Sequence, residues 1–159
     1  SRLISEEDMV KQASEFAGTV PVRHLLPYWK TSNRYLFSGG SVNMRDAAVY
    51  AKEENWSKAV ELWKQTYETK KGKQKMYAAY NTALGYEMQD SIDTALEWAL
   101  KAQTLAREKS KTDKKETGEI HNGTISYYIF ISMYVDELEK RKEGMARLNM
   151  QMNRFDDDF

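Results

Sequence analysis

Along most of the chain apolar residues recur at the three- and four-residue spacing of a helix face, with charged residues between them. Glu6–Ala17 is such a stretch, closed by Gly18. Val22–Lys30 and Ser32–Phe37 read as two shorter helices interrupted by Pro27, and Gly39-Gly40 is a clear break. Beyond it the pattern predicts helices in pairs: Asn43–Glu54 with Trp56–Thr69, hinged at Asn55, then Gln74–Gln89 with Ile92–Lys109, hinged at Asp90-Ser91. A polar linker, Ser110–Gly118, leads to a long last helix, Glu119–Met152, in which Gly123 and Gly144 lower the propensity. The run Tyr127-Tyr128-Ile129-Phe130-Ile131 alone would suit a strand. Tyr128, Ser132, Val135 and Glu139 continue at helical spacing, however, and no partner strand is offered, so helix is assigned. The tail Asp156-Asp157-Asp158 reads as a frayed end. Proline is confined to Pro21 and Pro27, and the common residues are helix formers. The expected class is all-α.

The two helix pairs are one pattern used twice. Aligning Ala59 with Ala95 places Ala47 on Ala83, Tyr50 on Tyr86, Asn55 on Ser91, Trp56 on Ile92 and Thr66 on Ala102, a period of 36 residues without a gap. Small residues at Ala47, Ala83, Ala59 and Ala95 let antiparallel helices approach closely. Tyr50, Trp56, Trp63, Tyr86 and Trp98 supply the bulk between neighbouring pairs. Asn81-Thr82-Ala83, Tyr86, Asp90, Ile92 and Ala95–Ala102 make this unit resemble the tetratricopeptide repeat. Asp46 and Thr82 stand where that family usually has leucine, and the closing proline is missing, so the resemblance is to a degenerate form over residues 40–109. It implies a right-handed α-solenoid with residues 1–38 as N-terminal capping helices and 119–152 as a C-terminal long helix.

A wider set of residues is similar to the helical region of an uncharacterised bacterial envelope-lipoprotein family. It comprises Pro27-x-Trp29, Arg34-Tyr35, Ala47, Trp56-x-x-Ala59, Trp63, Asn81-x-Ala83-x-x-x-Glu87, Trp98, Tyr134-x-x-x-Leu138-x-x-Arg141 and Gln151. That resemblance implies a longer protein with a lipid-anchored cysteine upstream and a place in the cell envelope or periplasm; without it a cytoplasmic location is expected. The chain opens on Ser1 rather than Met, as a processed or partial chain would.

Composition narrows the chemistry. The 159 residues fit a single domain, and with 24 Lys plus Arg against 24 Asp plus Glu the net charge is zero. Bulk attraction to nucleic acid or anionic lipid is therefore not expected, and no stretch is apolar and long enough to span a bilayer. The absence of cysteine removes disulfides, thiolate catalysis and Cys-ligated zinc. His24 and His121 lie far apart with no paired ligand at helical spacing, so no metal or cofactor is expected. Nucleophile elbows, phosphate-binding glycine loops and kinase signatures are all missing. Lys70, Lys71, Lys73 and Lys75, and Lys109, Lys111, Lys114 and Lys115, follow second helices, where cations offset the helix dipole.

The expected function is therefore a non-catalytic module that binds a protein or peptide through the concave face of the repeat. Carrying the first-helix positions over from the tetratricopeptide family gives Met44, Lys52, Tyr77, Tyr80, Leu84, Glu87 and Met88 as the candidate groove. Tyr77 and Tyr80 are its expected anchors, since tyrosine and methionine suit a peptide-gripping surface. The competing arrangement has a flanking helix filling that groove. The alternative function, drawn from the lipoprotein resemblance and the aromatic content, is ligand or glycan handling in the bacterial envelope.

Overall fold

The computed structural model describes residues 16–25, 29–117 and 126–157, with side chains over 34–109 and 126–154. Two strands, β1 (Phe16–Leu25) and β2 (Trp29–Phe37), precede five helices: α1 (Val42–Lys52), α2 (Trp56–Thr69), α3 (Lys73–Met88), α4 (Ile92–Thr117) and α5 (Tyr127–Asp157). The described chain is thus mostly helical, as the periodicity predicts. Glu6–Ala17 lies largely outside the described residues.

The N-terminal segment corrects the sequence reading. Val22–Lys30 and Ser32–Phe37 were expected as capping helices, and these residues instead lie in or between the strands of an antiparallel hairpin. Its register runs from Leu25 opposite Trp29 to Thr19 opposite Tyr35, with an irregularity between Phe16 and Thr19. Thr19, Val20, Val22 and Thr31 are β-branched residue types, which favour strands over helices. Pro21 is opposite Asn33 in a two-stranded sheet, where each strand is an edge and a missing N–H need not be answered by a neighbour.

A second correction concerns the expected linker at Ser110–Gly118. Helix α4 continues through Thr117, and α5 starts at Tyr127, later than Glu119. His121, Gly123 and the intervening segment 118–125 lie outside the described residues.

The 36-residue period is written into the backbone. Glu54 and Asp90 are both left-handed at φ 61°, a conformation that costs energy for any residue with a Cβ. At each turn the same two hydrogen bonds close the helix. Asn55 N donates to Tyr50 O at 2.8 Å and Glu54 N to Ala51 O at 3.0 Å; Ser91 N donates to Tyr86 O at 2.9 Å and Asp90 N to Glu87 O at 3.0 Å. This is the six-to-one plus five-to-two pattern that satisfies the last carbonyls of a helix. The Asn55 side chain then caps α2 by accepting from Lys58 N. Burial follows the same period, since Ala47, Ala83, Ala59, Ala95 and Ala102 are all fully buried.

Each helix packs on the next along the chain. Gly85 of α3 lies where an added Cβ would meet the Val60 and Trp63 side chains of α2, so a close helix crossing excludes any larger residue. Helix α3 is the hub. Met76 through Gly85 are all buried, because α2 and α4 cover two of its sides while β2 and α5 cover the rest. A helix enclosed all round normally reads as apolar. This one contains Tyr77, Tyr80, Asn81, Thr82 and Glu87, and each of those polar groups must find a partner inside.

Candidate functional site

The residues expected to line an open groove lie mostly in the core. Met44, Tyr77, Tyr80, Leu84 and Glu87 are buried, Met88 is partly buried, and Lys52 is exposed at the C-terminus of α1. The structure therefore brings Tyr77, Tyr80, Leu84 and Glu87 together on α3, but under cover. The occupants are β2 on one side and α5 on the other. Phe37 stacks on Tyr77 with ring centroids 4.1 Å apart and meets Tyr80 edge-on at 5.2 Å. From α5, Phe130 and Tyr134 pack on Tyr80 at 5.3 and 5.0 Å, and the Tyr127 hydroxyl shares a 2.7 Å hydrogen bond with that of Tyr77.

Beneath the rings, α3 reads the main chain of β2. The Asn81 carboxamide accepts from Phe37 N at 3.1 Å and donates to Phe37 O at 2.6 Å, so one side chain of α3 engages both main-chain groups of that residue. The Tyr80 hydroxyl donates to Tyr35 O at 2.7 Å. A side-chain amide with both groups engaged and a buried phenol on a carbonyl hold an extended segment without using its side chains.

One side chain of the strand is read as well. Glu87 is fully buried, and its two oxygens accept from Arg34 Nε at 3.1 Å and Nη2 at 3.2 Å, a paired geometry that matches guanidinium to carboxylate. Tyr134 donates to the same carboxylate at 3.0 Å and Arg141 at 2.9 Å, and Arg141 also reaches Asp90 at 3.4 Å. The Arg34 guanidinium lies over the Tyr134 ring at 5.5 Å. Two arginines, one from the strand and one from α5, thus converge on a single carboxylate of α3. Burial by itself would lower the pKa of Arg34, but the hydrogen bond and charge of Glu87 outweigh it and hold the guanidinium above its ordinary value.

The phenols beside it are shifted upward as well, but for them burial is the cause. Burial pushes Tyr80 and Tyr134 well above the ordinary phenol value of 10.0, with the Glu87 charge adding to the effect. A group whose pKa is raised in the folded state stabilises the fold below its unfolded pKa, and that contribution is lost as pH rises past it. The expected result is a plateau of thermal stability up to about pH 10 and a fall above it. Tyr134→Phe reduces the slope of that fall. A melting series that is flat through the alkaline limb would show that these phenols are not buried.

Other surfaces offer less. An open cleft of about 730 Å³ is lined by Asn43, Glu61, Lys64, Gln65, Tyr86 and Gln89, among others. Its single ring, Tyr86, already has the Lys64 ammonium over its face at 5.6 Å and on its hydroxyl at 3.0 Å. Among the described residues no three His, Cys, Asp or Glu side chains gather as a metal would require, and no helix is long and apolar enough to cross a membrane.

Six residues that the sequence pattern singled out meet here. Arg34, Tyr35, Asn81, Glu87, Tyr134 and Arg141 all belong to this clamp. The sequence pattern placed Glu87 in the site but not its partners Arg34, Tyr134 and Arg141, nor Asn81 as the group that holds Phe37. The available signal was charge on otherwise apolar faces: Arg34 beside Tyr35, Leu36 and Phe37, and Arg141 three residues after Leu138.

A family model described as Domain of unknown function (DUF6340) matches residues 45–140, more than half of the chain. A second, described as Domain of unknown function (DUF8603), matches residues 1–37. No curated protein and no solved structure matches. The two matched stretches meet across the clamp, with Arg34, Tyr35 and Phe37 in the stretch 1–37 and Tyr80, Asn81, Glu87 and Tyr134 in the stretch 45–140.

Proposed function

The chain belongs to the DUF6340 family, and we propose that it is a non-catalytic interaction module whose helical repeat grips an extended segment, here its own strand β2. We read the arrangement of α1 to α4 as a short tetratricopeptide-like solenoid, a reading supported by the identical turns at Glu54 and Asp90. The first helix of the second repeat, α3, then presents the concave face, and the hairpin occupies it in cis. What the helices hold is the end of a segment matched by a separate family model, so the module couples that N-terminal region to the helical body.

The observation that carries this reading is the double hydrogen bond of Asn81 to the main chain of Phe37. Groups that answer both the N–H and the C=O of one residue recognise an extended backbone as such. Arg34 on Glu87 adds side-chain selectivity and fixes the register of the strand.

A cut between hairpin and helices tests it. Gly39 lies in the connection between β2 and α1 and an added Cβ there meets nothing within 4 Å, so a protease site is placed at that position and the uncleaved protein is checked for an unchanged melting temperature. After cleavage of the folded protein, residues 1–38 stay bound to the helices through size-exclusion chromatography. Arg34→Ala or Asn81→Ala releases them. Immediate separation of the unsubstituted fragments after cleavage would show that the helices do not bind the strand in their own right.

A further inference from the structure

The face of α3 is covered, and the segment that covers it shows what the face accepts. Three side chains of α3 touch main chain alone. Tyr80 donates to Tyr35 O at 2.7 Å, and Asn81 engages both main-chain groups of Phe37. Gln74, at the start of the helix, donates to Gly39 O at 3.3 Å and accepts from Ser41 N at 3.5 Å. These bonds hold a chain extended whatever side chains it carries.

Two further contacts discriminate. Glu87 meets Arg34 through both carboxylate oxygens, at 3.1 and 3.2 Å. A lysine ammonium is a point charge on a flexible stem and cannot reproduce that planar pair. Phe37 is fully buried in a box of rings. It lies flat on Tyr77, with the planes 11° apart, while Tyr80, Tyr127 and Phe130 stand across it at 81°, 61° and 89°. Such a box is shaped for a flat ring, since an aliphatic side chain has no face to stack and no quadrupole to set against the edges. Leu36 between them is buried as well, but its side chain makes no directional contact, so another apolar residue of its size serves there.

The two discriminating contacts fix a spacing. Arg34 is followed by an aromatic residue three positions on, and no other arginine of the chain is. One register of this chain therefore satisfies both Glu87 and the ring box. The contacts named span residues 34–41, and none of them uses β1.

We propose that the covered face of α3 is a sequence-selective peptide site. Its partner class is an extended segment in which arginine and phenylalanine stand three residues apart, whether that segment belongs to the same chain, as here, or arrives from another. The proposal rests on the reading of the helices as a clamp for β2 and specifies what that clamp accepts.

Competition on the cleaved protein tests it. The full chain is cut at residue 39 with a fluorescent label on Ser1, and synthetic peptides of residues 16–38 are added in excess. The wild-type peptide displaces the labelled fragment, and the Leu36→Met peptide does so at the same concentration. The Arg34→Lys and Phe37→Leu peptides need at least about tenfold more, since a charge-assisted hydrogen bond or a stacked ring is worth about that factor. A labelled fragment that leaves on cleavage, before any peptide is added, overturns the clamp and this proposal with it. A fragment that stays but yields to no peptide, or to all of them alike, leaves the clamp standing and overturns its selectivity for a segment from outside.

Discussion

Replacing Tyr77 and Tyr80 together by alanine is expected to collapse the fold rather than expose a binding surface. Both rings are buried, and each is a junction between elements distant in sequence. Tyr80 touches Phe37, Phe130 and Tyr134 and donates to Tyr35 O, while Tyr77 stacks on Phe37 and bonds Tyr127. Truncating one large aromatic in a core costs about 3–5 kcal/mol. The two sites share Phe37, so their costs couple, but even one cost of that size consumes much of the about 5–15 kcal/mol that stabilises a domain. Thermal unfolding of the single and double variants measures this. A double variant that melts with the wild type would mean that β2 and α5 do not cover α3, and the open-groove arrangement would be restored.

The second large effect belongs to Glu87. Its carboxylate is the anion for both Arg34 and Arg141, whose side chains are 8% and 10% exposed. Glu87→Ala leaves Arg141 the exposed Asp90, but leaves Arg34 over the Tyr134 ring with no carboxylate among the described residues. Breaking a buried pair from one side costs about 3–5 kcal/mol, because a desolvated charge is stranded. Removing one arginine is expected to cost less, since Glu87 keeps the other cation and the Tyr134 hydroxyl. A double variant, Arg34→Met with Glu87→Met, is expected to recover part of the loss by exchanging the pair for apolar volume. Chemical denaturation of the four proteins gives the ranking. Equal stability of Glu87→Ala and wild type would dissolve the clamp.

These two residues show how legible the chain is. The helix pairs, their turns and their 36-residue period follow from the sequence, since the forces that set them are local. Asn55 caps the helix that follows it by accepting from the amide three residues on, Glu54 with Asn55 and Asp90 with Ser91 close the preceding helix with bonds to residues three and five positions back, and alanines at Ala47, Ala59, Ala83 and Ala95 mark close crossings at helical spacing. The hairpin is not local. A two-stranded sheet is marginal by itself, and β propensity mainly reports what a strand packs against. Read alone, Val22–Lys30 and Ser32–Phe37 contain nothing decisive for a strand, and the answer lies 44 residues on, at Asn81.

The same division explains the candidate site. That Tyr77, Tyr80, Leu84 and Glu87 share one part of α3 is a matter of helical spacing and was fixed by sequence alone. Whether that face meets solvent or protein depended on where β2 and α5 go. Their positions are decided by contacts such as Arg34 with Glu87, 53 residues apart, and Arg141 with Glu87, 54 apart. Local hydrogen bonds and periodicity act within a few residues and so determined the helices, their caps and their repeat. Burial of a polar helix on all sides is a collective outcome of desolvation and long-range pairing, and only the tertiary structure could decide it.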